Sequence, residues 1–165
     1  MTFSERSVIP FPETLGRAYG NLIFTPAGEL ICYAYNGNDE QHMDFIRSAD
    51  NGKTWFGAGS SFVAHSIRNP QVGLLDGQYI LHGRAGENGA GAGSFVLYTS
   101  ADGFTWDGGT VLVSGRRACF YSNNLTLTDP DGHQRMLVQY SENVRDPSED
   151  WTGQVNIMHL FIESV

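Results

Sequence analysis

Apolar residues in this chain come in short runs that break repeatedly at glycine. The segment from Asn21 reads NLIFTPAGELICYAY, that from Asn69 NPQVGLLDGQYILHGR, and that from Asn123 NNLTLTDPDGHQRMLVQY. Each opens with Asn and a short apolar run, turns at a glycine (Gly28, Gly77, Gly132) and returns in a second apolar run. Two short runs joined by a glycine turn predict a β-hairpin. No stretch carries the 3.6-residue period of an amphipathic helix. The hairpins recur about every fifty residues, the spacing of a repeat array.

A second feature follows the first two hairpins. The strand-like runs MDFIR and SFVLYT lead into related polar turns, SADNGKTW (48–55) and SADGFTW (100–106). The third copy is missing or badly decayed, with PSEDWTGQ, around Asp150, at about the right spacing. The unit is therefore strand, turn, strand, loop, strand, Asp turn, strand. Four antiparallel strands at a repeat of about 40–50 residues predict a β-propeller blade. The expected fold is all-β, a single propeller domain over 1–165 with about three four-stranded blades, roughly 15–66, 67–117 and 118–165. The Asp turn has a local cause. A short carboxylate accepts hydrogen bonds from nearby backbone N–H groups, glycine tolerates the turn, and Thr and Trp start the outer strand. Asp50 and Asp102 are accordingly expected to staple the fold and not to catalyse.

Composition narrows the function classes. A net charge of −8 argues against nucleic acid, whose phosphates call for clustered cations. No apolar run approaches the roughly 20 residues of a membrane span. The first residues, MTFSERSVIPFPETLGR, contain no apolar core of a signal peptide, so a cytoplasmic chain and a processed or truncated piece of a secreted one both stay open. Cys32 and Cys119 lie in apolar runs and are expected as buried free thiols, one disulfide being the alternative. The five histidines lack metal-ligand spacing, and GENGAGAG (86–93) lacks the Lys-Ser/Thr ending of a phosphate loop. No metal and no cofactor are expected.

Blade geometry then selects candidate residues. In a meander blade the start of strand one, the end of strand two and the start of strand three share one rim. That rim collects Arg17, Arg68 and Tyr121, then Tyr35–Asn36, Arg84 and Glu142, then Asp44, with the Asp turns at the opposite end. Arginine grips a carboxylate through paired hydrogen bonds, and tyrosine offers a flat face and a hydroxyl. The set suits an anionic or polyhydroxylated ligand. Other roles stay open: Arg17 in an interblade ion pair, Arg68 neutralising Glu142 or Glu87, Tyr121 as a packing residue. Arg116 and Arg117 read as a solvated pair.

The two Asp turns, GRAYGNLIFTPAGELICYAY, and FYSNNLTLTDPDGHQRMLVQYSE together resemble the sialidase superfamily of Asp-box propellers. That resemblance implies a six-bladed fold and retaining hydrolysis of an acidic sugar. It implies Arg17 and Arg84 as substrate-binding residues, Tyr121 as nucleophile, Glu142 as its activating carboxylate one position displaced, and Asp44 as acid/base; Arg68 and Tyr35 join the substrate-binding candidates from the rim geometry alone. The chain departs from the pattern in places. Tyr19 stands where a proline is expected, Arg68 stands where a glutamate is expected, and no third arginine falls among residues 90–94. Without a base, a phenol titrating near pH 10 is a poor nucleophile. Two functions are therefore carried: a sialidase-like glycoside hydrolase, and a non-catalytic carbohydrate-binding or assembly propeller. Three blades leave two open ends, so the chain is expected to pair as a homodimer closing six blades, to be a fragment of a longer propeller, or to form a small open ring.

Overall fold

The computed structural model describes residues 7–12, 16–86, 91–114, 120–143 and 155–164. Eleven strands and no helix occur among them. The first sheet has the order β1 (Arg17–Phe24), β2 (Leu30–Asn36), β3 (His42–Ser48) and β4 (Phe56–Phe62). The second repeats it with β5 (Arg68–Leu75), β6 (Gln78–Arg84), β7 (Phe95–Ser100) and β8 (Thr110–Val113). The third contains β9 (Ser122–Thr128), β10 (Gln134–Asn143) and β11 (Val155–Glu163). All pairings are antiparallel and sequential, so each sheet is a meander, as the repeat predicts for a propeller blade.

Local chemistry explains the hairpins. β5 and β6 are joined by Asp76 and Gly77 alone, both at positive φ (47° and 80°). That two-residue turn matches the right-handed twist of its strands. The longer turn before β10 is closed by Asp129 Oδ1, which accepts from the amides of Asp131 (3.0 Å) and His133 (2.9 Å).

The Asp turns at 48–55 and 100–106 are built as their composition predicts. Asp50 Oδ1 accepts from the Thr54 amide at 2.8 Å and Oδ2 from the Thr54 hydroxyl at 2.7 Å. Asp102 Oδ1 accepts from the amides of Phe104 and Thr105, both at 2.7 Å. In each turn the preceding serine accepts from a glycine amide. The Thr54 hydrogen bonds hold the Asp50 carboxyl down at about 2. Burial opposes the charge of Asp102, but the amides and hydroxyls around it prevail and set it at about 2 as well. The segment around Asp150 lies outside the described residues and falls in chain order between β10 and β11, the second and third of the three strands described in its sheet, whereas the other two Asp turns follow a third strand and lead into a fourth.

The blades pack face to face. Ile31, Tyr33 and Met43 of the first meet Val72, Leu81, Val96 and Tyr98 of the second in one buried cluster. The Tyr33 hydroxyl donates to the Gly103 carbonyl at 3.1 Å, and its ring meets Trp106 edge-on at 6.4 Å, so the second Asp turn is tied to the first blade. Leu75, Ile80 and Phe95 of the second blade pack on Met136, Val138 and Tyr140 of the third. The inner strands are joined by side chains. Asn21 Oδ1 accepts from the Val72 amide (2.9 Å), and Thr126 Oγ1 donates to the Leu74 carbonyl (2.6 Å). Fully buried His82 lies between Ser122 Oγ at 2.9 Å and Asn124 Nδ2 at 3.0 Å. Cys32 is a buried free thiol, pushed up to about 11 by burial. Cys119 lies outside the described residues.

Candidate functional site

Strand register puts the candidate residues at one end of the blades. Arg17 pairs with Asn36, Arg68 with Arg84, and the Ser141 amide donates to the Tyr121 carbonyl while the Tyr121 amide donates to the Ser141 hydroxyl. The Asp turns close the β3–β4 and β7–β8 connections at the other end.

The first strands of the first two blades are irregular near this rim. The β1–β2 register shifts between Ala18 and Asn21, and the β5–β6 register between Arg68 and Gln71. Tyr19, Asn69 and Phe120, one at the start of each blade, hold positive φ (52°, 52° and 25°). Such backbone costs about 1–2 kcal/mol per non-glycine residue and re-aims side chains, as bulges do beside binding sites. Phe120 is buried, stacked on Phe95 at 5.5 Å. Its neighbour Tyr121 is turned outward and is 54% exposed.

Three tyrosines meet there from two blades. The Tyr19 ring centroid lies 6.2 Å from Tyr35 and 6.4 Å from Tyr121, with tilted planes. Tyr35 donates its hydroxyl to Glu40 Oε1 at 2.8 Å. Arg68 brings Nε to 3.3 Å from the same oxygen and lays its guanidinium 5.6 Å over the Tyr35 ring. Burial, then the hydrogen bond and charge of Glu40, push the Tyr35 phenol up, against the pull of Arg68. Arg68 thus meets Glu40, in the β2–β3 loop, where the sequence suggested Glu142 or Glu87. Glu87 lies outside the described residues.

On the first blade is a pocket of about 230 Å³ of mixed lining, with Arg17, Asn36, Asp44 and Ser60 set among Phe11, Pro12 and Ala58. The buried Asp44 carboxylate accepts from Arg17 Nε at 2.6 Å, from Asn36 Nδ2 at 3.4 Å and from the Ser60 hydroxyl. The Arg17 guanidinium lies 4.8 Å over the Phe11 ring. Arg17 is therefore held in an ion pair within its own blade, reaching from β1 past β2 to Asp44 in β3, and not in an interblade pair.

Half-buried Arg84 ends β6 on the same rim. Glu142 sits in β10 opposite Asn156. After burial, its charge is the second influence pushing the Tyr140 phenol up. Among the described residues no hydrogen bond joins Tyr121 to Glu142, and no group of three or more His, Cys, Asp or Glu could hold a metal ion. Arg116 and Arg117 lie outside the described residues. Three residues were missed as site candidates. Tyr19 showed only as a replaced proline; Glu40 and Ser60 carry no sequence signal, because their partners come from other strands.

No family model and no curated protein matches the chain. Solved structures do. A protein of unknown function from Dyadobacter fermentans superposes with a TM-score of 0.66 at 18% identity, over 93% of this chain and 40% of that one. An α-L-arabinanase from Penicillium chrysogenum gives 0.60 at 20%, over 94% and 47%. A sialidase from Streptococcus pneumoniae gives 0.54 at 17%, over 87% and 23%. The fold is a partial β-propeller of the kind found in glycoside hydrolases. The chain spans half or less of the length of these structures.

Proposed function

We infer that this chain acts on carbohydrate at its propeller mouth, as a glycoside hydrolase. The observation that carries this is the Tyr19–Tyr35–Tyr121 cluster beside Arg68 and Glu40. Aromatic faces seat the apolar face of a sugar ring, and charged hydrogen-bonding groups beside them take its hydroxyls. The neighbouring folds named as an arabinanase and a sialidase support the same substrate class. In the retaining mechanism, the exposed Tyr121 hydroxyl oxygen attacks the anomeric carbon. As that bond forms Tyr121 gives its proton to Glu142, the glycosidic bond breaks and the leaving oxygen takes a proton from the candidate acid Asp44; water then attacks the anomeric carbon and returns a proton to Asp44, while the departing tyrosine oxygen takes back the proton held by Glu142. Arg17, Arg68 and Arg84 would orient the substrate, and Glu142 would assist Tyr121.

A second reading, carbohydrate binding without turnover, is favoured by the ion pairs. Arg17 already holds Asp44, and Arg68 already holds Glu40. An incoming sugar carboxylate would meet those carboxylates as like charges, so a neutral polyhydroxylated sugar suits the mouth better. The test uses a fluorogenic sialoside, a fluorogenic α-L-arabinofuranoside, and calorimetric titration with sialyllactose and arabinobiose. Turnover of either fluorogenic substrate that is lost in Tyr121→Phe supports hydrolysis. Binding without turnover, weakened about fivefold or more in Tyr19→Ala, supports the second reading. Neither turnover nor binding overturns both.

A further inference from the structure

We propose that the two open blade faces of this chain are halves of one interface, and that a second copy occupies both, closing a six-bladed ring. The internal interfaces define what a blade face looks like. In the first blade Ile31 and Tyr33 point toward the second blade. The intervening positions, Leu22 opposite Cys32 opposite Ile46, and Phe24 opposite Leu30, form the other face. Their counterparts in the second blade, Val72 opposite Leu81 opposite Tyr98, and Leu74 opposite Tyr79, are the face that packs on the first blade. Cys32 and Leu81 stand at the same step after the turn glycines Gly28 and Gly77, which fixes the equivalence. The first blade therefore presents a docking face built like one already in use: its centre, Leu30, Cys32 and Ile46, is already buried within the chain, and its β1 side, Leu22 and Phe24, stands 53% and 54% exposed.

The third blade presents the complementary side. Met136, Val138 and Tyr140 face the second blade. The alternate residue Leu137, with Leu125 and Phe161 directly across from it, lies on the opposite face. Leu125, Ile157 and Phe161 are 59%, 69% and 45% exposed, and Ile157 and Phe161 edge an apolar groove of about 360 Å³. Exposed apolar surface of this kind marks an interaction site. The blade 1–2 and 2–3 contacts both set the forward face of one blade on the backward face of the next. A second copy related by a two-fold axis continues that contact at both ends, third blade on first blade twice, without a new packing mode. The mouth would then be walled by both copies, with Tyr19, Tyr35 and Tyr121 contributed from each side. This inference rests on the blade packing and is independent of the sugar assignment.

Light scattering on the size-exclusion eluate of the 165-residue chain tests it. The expected mass is twice 18.1 kDa. Ile157→Glu on one face and Phe24→Glu on the other should each give an 18.1 kDa species with an unchanged far-ultraviolet β spectrum, because both side chains are exposed in the single copy. An equimolar mixture of the two variants should partly recover the doubled mass, since one of its two interfaces joins an intact third-blade face to an intact first-blade face. A monomeric wild-type chain overturns the proposal. So does a dimer lost in Ile157→Glu and kept in Phe24→Glu, which would mean that like faces pair. A mass well above two copies overturns the closed ring.

Discussion

Lowering the pH from 7 to 4.5 should weaken the fold through one side chain, His82. Its ring is enclosed between the second and third blades, with Asn124 Nδ2 at one nitrogen and Ser122 Oγ at the other. Burial disfavours the imidazolium and pushes this histidine from 6.5 down to about 3. An amide N–H pointing at Nε2 also opposes a proton there. The sign follows from proton counting. Between about 6.5 and about 3 the unfolded chain binds a proton at His82 and the folded chain does not. Stability is therefore whole above pH 6.5 and falls as the pH drops through that window, by up to about 1.4 kcal/mol per unit. Two units below 6.5 this amounts to about 2.7 kcal/mol, a large part of the about 5–15 kcal/mol that holds an ordinary domain. Urea unfolding followed by tryptophan fluorescence at pH 7.0, 6.0, 5.0 and 4.5 measures it. His82→Gln should start less stable at pH 7 and lose most of the slope. A wild-type midpoint that does not move between pH 7 and 4.5, or a slope kept in full by His82→Gln, would refute the reasoning.

Below pH 4 a different pair of groups takes over. The Asp50 and Asp102 carboxyls, each held at about 2, contribute stability that is present above their unfolded values near 3.8 and lost as the pH falls toward 2. Differential scanning calorimetry at pH 7 should show a lower thermal midpoint for both Asp50→Ala and Asp102→Ala. The drop should be larger for Asp102→Ala, because its turn also carries the Gly103 carbonyl that Tyr33 binds from the first blade. Gly73→Val should destabilise by about 1–3 kcal/mol in urea titrations. A Cβ at Gly73 would lie 2.5 Å from Asn124 Oδ1 and 2.7 Å from Met136 Cε, prising β5 from β9. An unchanged midpoint there would mean that the inner strands do not approach as closely as described.

The sequence by itself determined the repeated unit. Glycine turns, short apolar runs and the Asp turns are local devices. Each acts through residues within about eight positions, so Gly77, Asp50 and Asp102 could be assigned from their neighbours alone, and the meander with its rim followed. Register at the rim was not legible. Matching Asn21 with Asn69 on identity placed them two positions apart in the strands, because Asn21 lies opposite Tyr33 whereas Gln71, and not Asn69, lies opposite the corresponding His82. The chain of contacts within the mouth belongs wholly to the tertiary structure. Arg17 finds Asp44 and Arg68 finds Glu40 across 27 and 28 residues of chain, and Tyr19 meets Tyr121 across two blades. These pairings depend on how irregular first strands turn their side chains and on how one blade leans against the next. Local propensity carries no information on either, since both are settled by packing between faces that the chain brings together only after the blades have formed.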